Sequence, residues 1–149
     1  MRSEVELPFS TIYSELNTQE RFGVMLKRML KARSPNLKFI DDPKLADIIL
    51  ETKGLSKART PLSLDPDGKV EEYELYVSLE FKLLSNKGEV LVPKTLIKTT
   101  RIMPYNILES NAGDKETEFL YEDMEKEIAS KLFGRITASE LSEKFKNKK

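Results

Sequence analysis

The feature that most constrains this chain is a long run of two-residue alternation. Tyr73, Leu75, Val77, Leu79, Phe81 and Leu83 are interleaved with Glu72, Glu74, Tyr76, Ser78, Glu80 and Lys82. Successive side chains of a strand point to opposite faces, so this run makes one dry face and one wet face, which a helix cannot do. Asn86-Lys87-Gly88 supplies a turn, and Glu89 to Met103 then reads as a second long strand returning beside the first. Pro93 has no amide hydrogen to give to a ladder, so the return strand lies at a sheet edge or carries a bulge.

The other segments are fitted around this hairpin. Leu7 to Glu15 reads as a short strand, with Phe9, Thr11 and Tyr13 alternating with Ser10, Ile12 and Ser14 behind Pro8. Phe22, Met25, Leu26, Met29 and Leu30 then recur at three and four residues, which predicts an amphipathic helix from about Thr18 to Arg33. Asn17 stands three residues before Glu20, at capping-box spacing, and Ser34-Pro35 stops the helix after a basic last turn. Leu37 and Phe39 suggest a brief strand, Asp41-Asp42-Pro43 a turn, and Ala46 to Leu55 a further strand. Ser56 to Gly68, with Pro61, Pro66 and Asp67-Gly68, reads as a long hairpin arm or loop. A polar loop follows Pro104. Leu120, Tyr121, Met124, Ile128 and Leu132 then repeat at helical spacing, with Gly134 in the position of a helix stop. The segment from Thr137 to Lys149 is weakly amphipathic and lysine-rich at its end, and is expected to fray.

Two helices with one apolar stripe each, and strands with one apolar face, are all satisfied by laying both helices on one side of a single sheet. The expected fold class is therefore α+β. It is a two-layer sandwich of two helices on a four- to five-stranded, mostly antiparallel or mixed sheet, forming a single domain over 1–149. The other face of that sheet must be exposed or covered by a partner.

Composition narrows the chemistry. The chain has 25 basic and 25 acidic residues, whereas a protein that neutralises nucleic-acid phosphate carries a basic excess, so no nucleic-acid partner is expected. It has no Cys and no His. That removes disulfides, thiolate metal sites and the commonest general base, leaving an enzyme only carboxylates and lysines to work with. No apolar run approaches the roughly 20 residues that span a bilayer, and Met1 leads directly into Arg2, Ser3 and Glu4. No cofactor and no catalytic centre are expected.

The block Asp67-Gly68-Lys69-Val70-Glu71-Glu72-Tyr73-Glu74-Leu75, followed by a long strand, a turn, a return strand and a helix, resembles the LptE family of lipopolysaccharide-assembly lipoproteins. Leu91-Val92-Pro93 and Glu116 to Leu132 match the return strand and final helix of that family. Leu7-Pro8, the helix at Thr18 to Arg33 and Ala46-Asp47-Ile48-Ile49-Leu50 extend the resemblance more weakly over most of the chain. The family's lipidated N-terminal Cys and the Gly-aromatic-x-Leu-Arg segment after it have no counterpart, Met1 and Arg2 standing roughly where that segment ends. The resemblance implies a sequence that starts just past a lipid anchor. It further implies a non-enzymatic subunit at the periplasmic face of the outer membrane, docked as a plug in the LptD β-barrel, which it helps to assemble, and binding lipopolysaccharide. A different periplasmic adaptor, such as an auxiliary lipoprotein of an ABC-type lipid transporter, shares the fold class.

Candidate site residues follow from the register. Lys94 and Lys98 fall on one face of the return strand with Leu96 and Ile102, while Arg101 falls on the other. Cations interleaved with apolar residues suit a ligand that presents phosphates beside acyl chains, as lipopolysaccharide does. The same lysines on an edge strand also serve to prevent sheet-to-sheet aggregation. Arg59 and Lys69, with Lys53 and Lys57, flank the long loop and extend the patch or merely solvate it. Glu71, Glu72, Glu74 and Glu80 line an exposed face and do not converge as a hard cation requires. Phe22, Met25 and Met29 read as core packing. Tyr73, Tyr76 and Tyr105 are candidates for a protein interface, Tyr76 being the one expected to face outward.

Overall fold

In a computed structural model, which describes residues 7–16, 19–105, 113–138, 141 and 143–145, the alternating run is strand β4. In chain order the strands are β1 (Thr11–Ser14), β2 (Lys38–Phe39), β3 (Ile48–Leu64), β4 (Val70–Ser85) and β5 (Val90–Pro104). The helices are α1 (Arg21–Arg33) and α2 (Gly113–Ile136). The sheet is open and mixed, in the order β2-β1-β3-β4-β5, with β1 parallel to β2 and β3 and the β3-β4-β5 meander antiparallel. Both helices pack on one face of it.

The alternation sorts β4 as expected. Leu75, Val77, Leu79, Phe81 and Leu83 are buried against the helices, and the residues between them face the other way. From α1 the core receives Phe22, Leu26 and Leu30, and from α2 Met124, Ile128, Ala129, Leu132 and Ile136. Pro93 satisfies both conditions read from the sequence. β5 is an edge strand, and Pro93 and Lys94 together stand opposite Lys82 alone, between the pairs Phe81–Thr95 and Leu83–Val92.

Four expectations change. The first strand is only Thr11–Ser14, because β1 pairs with just Ile48–Leu50 of β3, although Leu7, Phe9 and Leu16 around it are buried. α1 begins at Arg21 with Glu20 as its N-cap residue, whose side chain makes no capping bond; Asn17 and Thr18 lie outside the described residues. Ser56 to Leu64 is not loop but the outer half of β3, paired to β4 as far as Leu64–Val70. Among the described residues the far side of β3 has no neighbouring strand beyond Leu50, so Pro61 costs no ladder bond there. Gly134, read as a helix stop, lies inside α2. A mid-helix glycine costs roughly 1 kcal/mol relative to Ala, less than Leu132 and Ile136 gain by burial on either side of it.

A turn and a bulge hold the β3–β4 hairpin in register. At the β3–β4 tip the Asp65 carboxylate accepts from the Asp67 and Lys69 amides at 2.9 and 2.8 Å, and Gly68 takes the left-handed φ of +83° that the turn needs. Lower in β3, Gly54 at φ +95° makes a bulge that sets Lys53 and Gly54 opposite Glu80. After α2, Leu141 and Phe145 of the lysine-rich tail are buried, with Phe145 edge-on to Phe9 at 5.9 Å.

Candidate functional site

The face of the sheet away from the helices is open. On β5 it carries Lys94, in the bulge, and Leu96, Lys98, Thr100 and Ile102, the last four pairing across to Glu80, Ser78, Tyr76 and Glu74 of β4. The interleaving of cations and apolar residues read from the sequence is therefore a spatial arrangement. Leu96 and Ile102 are 60% and 54% exposed. The polar groups around them make weak contacts along the sheet. Lys94 approaches Glu80 at 3.8 Å, Lys98 sits 4.8 Å above the Tyr76 ring, and the Tyr76 hydroxyl donates to Glu74. Exposed ion pairs and cation–π contacts are each worth about 1 kcal/mol or less, so this face gives up its internal contacts to an incoming ligand at small cost.

Arg101 faces the helices instead. It donates to Glu127 at 2.8 Å and Asp123 at 3.3 Å on α2, and to the Thr99 hydroxyl and Thr100 carbonyl beside it. The Arg101 hydrogen bond holds the Glu127 carboxyl down at about 2, and the Glu127 hydrogen bond in turn raises the Arg101 guanidinium above its ordinary value. This residue fastens β5 to α2. Arg59 also lies on the helix-facing side, its guanidinium 4.8 Å from the Tyr73 ring, and Tyr73 stacks on Tyr105 at 6.1 Å. Lys69 is exposed at the β3–β4 tip. The five cations of the expected patch thus fall in three places: Lys94 and Lys98 on the open face, Arg101 against α2, and Arg59 and Lys69 on the outer arm. Tyr76 does lie on the open face, half-buried under Lys98, whereas Tyr105 belongs to the stack on the arm.

One constellation had no signal in the sequence. Glu125 of α2 is 2% exposed and receives both the Nε and Nη2 of Arg21 from α1, at 3.0 and 2.7 Å, and the Nζ of Lys57 from β3, at 2.8 Å. Burial, the largest single influence, pushes its carboxyl up, but the hydrogen bonds from Arg21 and Lys57 outweigh it and the net shift is downward. Beside this triad, between the start of α1 and the β3 bulge, lies a cavity of about 570 Å³ lined by Glu15, Glu20, Arg21, Lys53, Lys57 and Glu125 among others. Its carboxylates and cations are mixed and the central ones already paired, so the triad is a clamp on three elements. Among the described residues no group of three or more acidic side chains converges as a metal site.

Comparison with solved structures gives the class of protein first. The solution structure of lipoprotein B from Nitrosomonas europaea superposes with a TM-score of 0.77 at 27% identity, covering 93% of this chain and 89% of that one. The crystal structure of rare lipoprotein B from Shewanella oneidensis shares the fold, with a TM-score of 0.71 at 22% identity over 90% and 97% of the two chains. Residues 7–136 match the sequence profile of the lipopolysaccharide-assembly family LptE, and the chain belongs to that family. The LPS-assembly lipoprotein LptE of Pectobacterium atrosepticum is 24% identical over 150 aligned positions, 99% of this chain and 80% of that protein.

Proposed function

We propose that this chain is a non-enzymatic, lipid-anchored subunit at the periplasmic face of the outer membrane, which docks in the LptD β-barrel, assists its assembly and binds lipopolysaccharide. The observation that carries the ligand part is the open face of β5, where Lys94 and Lys98 alternate with exposed Leu96 and Ile102. Phosphates take the ammonium groups and acyl chains take the apolar side chains between them. Arg59 and Lys69 on the outer arm offer a secondary set of cations, and Tyr76 and Tyr105 the aromatic surface of a protein interface. Arg101 contributes through its hold on α2, since its guanidinium is already committed to Asp123 and Glu127.

The test is a titration of folded protein with lipopolysaccharide. The double change Lys94→Glu with Lys98→Glu weakens binding more than tenfold and leaves the thermal midpoint nearly unchanged, because only exposed contacts are lost. Raised salt weakens the wild-type interaction in part, since acyl contacts are not screened. Unchanged affinity in the variant would leave the lysines as edge protection and move the ligand to Arg59 and Lys69. Recovery of the chain with an inner-membrane ATPase complex, in place of an outer-membrane barrel, would sink the docking assignment.

A further inference from the structure

The free edge of β5 carries a second feature, which shares Lys98 with the open face but does not rest on the lipopolysaccharide reading. Among the described residues β5 is paired on the β4 side only, so along its outer edge alternate backbone N–H and C=O groups have no strand partner. Two cavities line that edge. One, of about 530 Å³, lies between Thr95–Lys98 and the last turns of α2 at Lys131, Gly134 and Arg135. The other, of about 140 Å³, continues past Arg135 along Leu91, Val92 and Pro93 to Leu141 and Lys144. Arg135 lines both, which makes them one groove. In a chain with 25 basic and 25 acidic residues, the described residues that line this groove include Lys98, Lys131, Arg135 and Lys144 and no carboxylate.

The lower part of the edge is already guarded. Pro93 has no amide to offer, its bulge distorts the ladder, and Lys144 reaches the Leu91 carbonyl at 3.4 Å. From Thr95 to Lys98 no proline or bulge interrupts the edge among the described residues, the guard there is the Lys98 charge, which an acidic segment satisfies, and Leu96 and Ile97 are part of the lining. A second copy of this chain fits poorly: antiparallel pairing of two β5 edges centred on Leu96 sets Lys94 of each against Lys98 of the other. An opposite charge is needed.

We infer that the Thr95–Lys98 edge of β5 accepts an extended, acidic segment of a partner protein, which adds a strand to the sheet and places its carboxylates against Lys98, Lys131 and Arg135. Main-chain pairing supplies the geometry, and the cation-lined wall of α2 selects the charge. A ligand recognised by charge alone has no use for the backbone edge, and that difference is measurable.

The experiment uses the full chain, isotope-labelled, and capped ten-residue peptides in which Glu alternates with Val or Thr. The acidic peptide shifts the amide resonances of Thr95 to Lys98, while its Lys counterpart and a version N-methylated at alternate amides leave them in place. Lys131→Ala with Arg135→Glu, surface changes that cost no more stability than the exposed Lys131–Glu127 pair at 3.1 Å supplies, weaken the acidic peptide at least tenfold. Lys94→Glu, which lies on the open face, changes peptide binding less than threefold, so failure here is separable from failure of the lipopolysaccharide assignment. No binding by the acidic peptide, equal binding by the N-methylated one, or resonance shifts confined to the open face would each overturn the proposal. So would lauryl phosphate micelles reproducing the same amide shifts with the same dependence on Lys131 and Arg135, which would make the groove an anion site for amphiphiles.

Discussion

Lys98 and Arg101 stand three residues apart on β5, project from opposite faces of the sheet, and meet entirely different neighbours. On the helix side, cations reach across to another element: Arg101 to Asp123 and Glu127, and Arg21 and Lys57 to the buried Glu125. On the open side, contacts run along the sheet, between Lys94 and Glu80, Lys82 and Glu51, and Lys98 and Tyr76. A charge next to a buried partner cannot be released without stranding that partner, whereas an exposed pair exchanges its contact for water at almost no cost. Arg101, Arg21 and Lys57 therefore tie elements together, and Lys94 and Lys98 are available for binding.

The sharpest way to break this contrast is a pair of neighbours on β4. Leu79→Ala removes a side chain that is 1% exposed and should cost roughly 2–5 kcal/mol, while Glu80→Ala on the opposite face should stay within about 0.5 kcal/mol. Urea melts compare them directly. Equal damage from the two would mean that the faces are not distinct. Next in size is Arg21→Ala, which leaves buried Glu125 with Lys57 alone. It should cost about 2–3 kcal/mol, below the range for a fully buried pair because Arg21 is itself partly exposed. Lys98→Ala should cost at most about 1 kcal/mol, the value of one exposed cation–π contact.

The smallest effect is one of pH. Glu127 is held at about 2, below its ordinary 4.5, so the stability it contributes is fully present above that ordinary value and is lost as pH falls from 4.5 toward 2. Glu125, also shifted down, adds to the loss at acid pH. Thermal melts between about pH 7 and pH 2.5 should show the midpoint of the wild type dropping below about pH 4.5, with Glu127→Gln flattening part of that drop. A variant curve parallel to the wild type would show that Arg101 draws no net stability from this carboxylate.

The sequence by itself determined the hairpin of β4 and β5, the two apolar helix stripes and the sorting of Lys94, Lys98 and Arg101 onto two faces. Each of these is a local periodicity, and a pattern of period two or 3.6 requires no knowledge of what lies across from it. Only the tertiary structure decided the rest. Ser56 to Leu64 is a strand because β4 is long enough to pair with it, a fact that its own Lys57, Arg59 and Pro61 conceal. Gly134 stays helical because Leu132 and Ile136 are buried on either side, and Leu141 and Phe145 are anchored because Phe9, over a hundred residues away, is there to meet Phe145. The Arg21–Glu125–Lys57 clamp joins residues from two helices and a strand, each an ordinary surface charge in its own segment. Such a cluster has no period and no spacing to read, because its energy comes from burying one carboxylate where three elements converge.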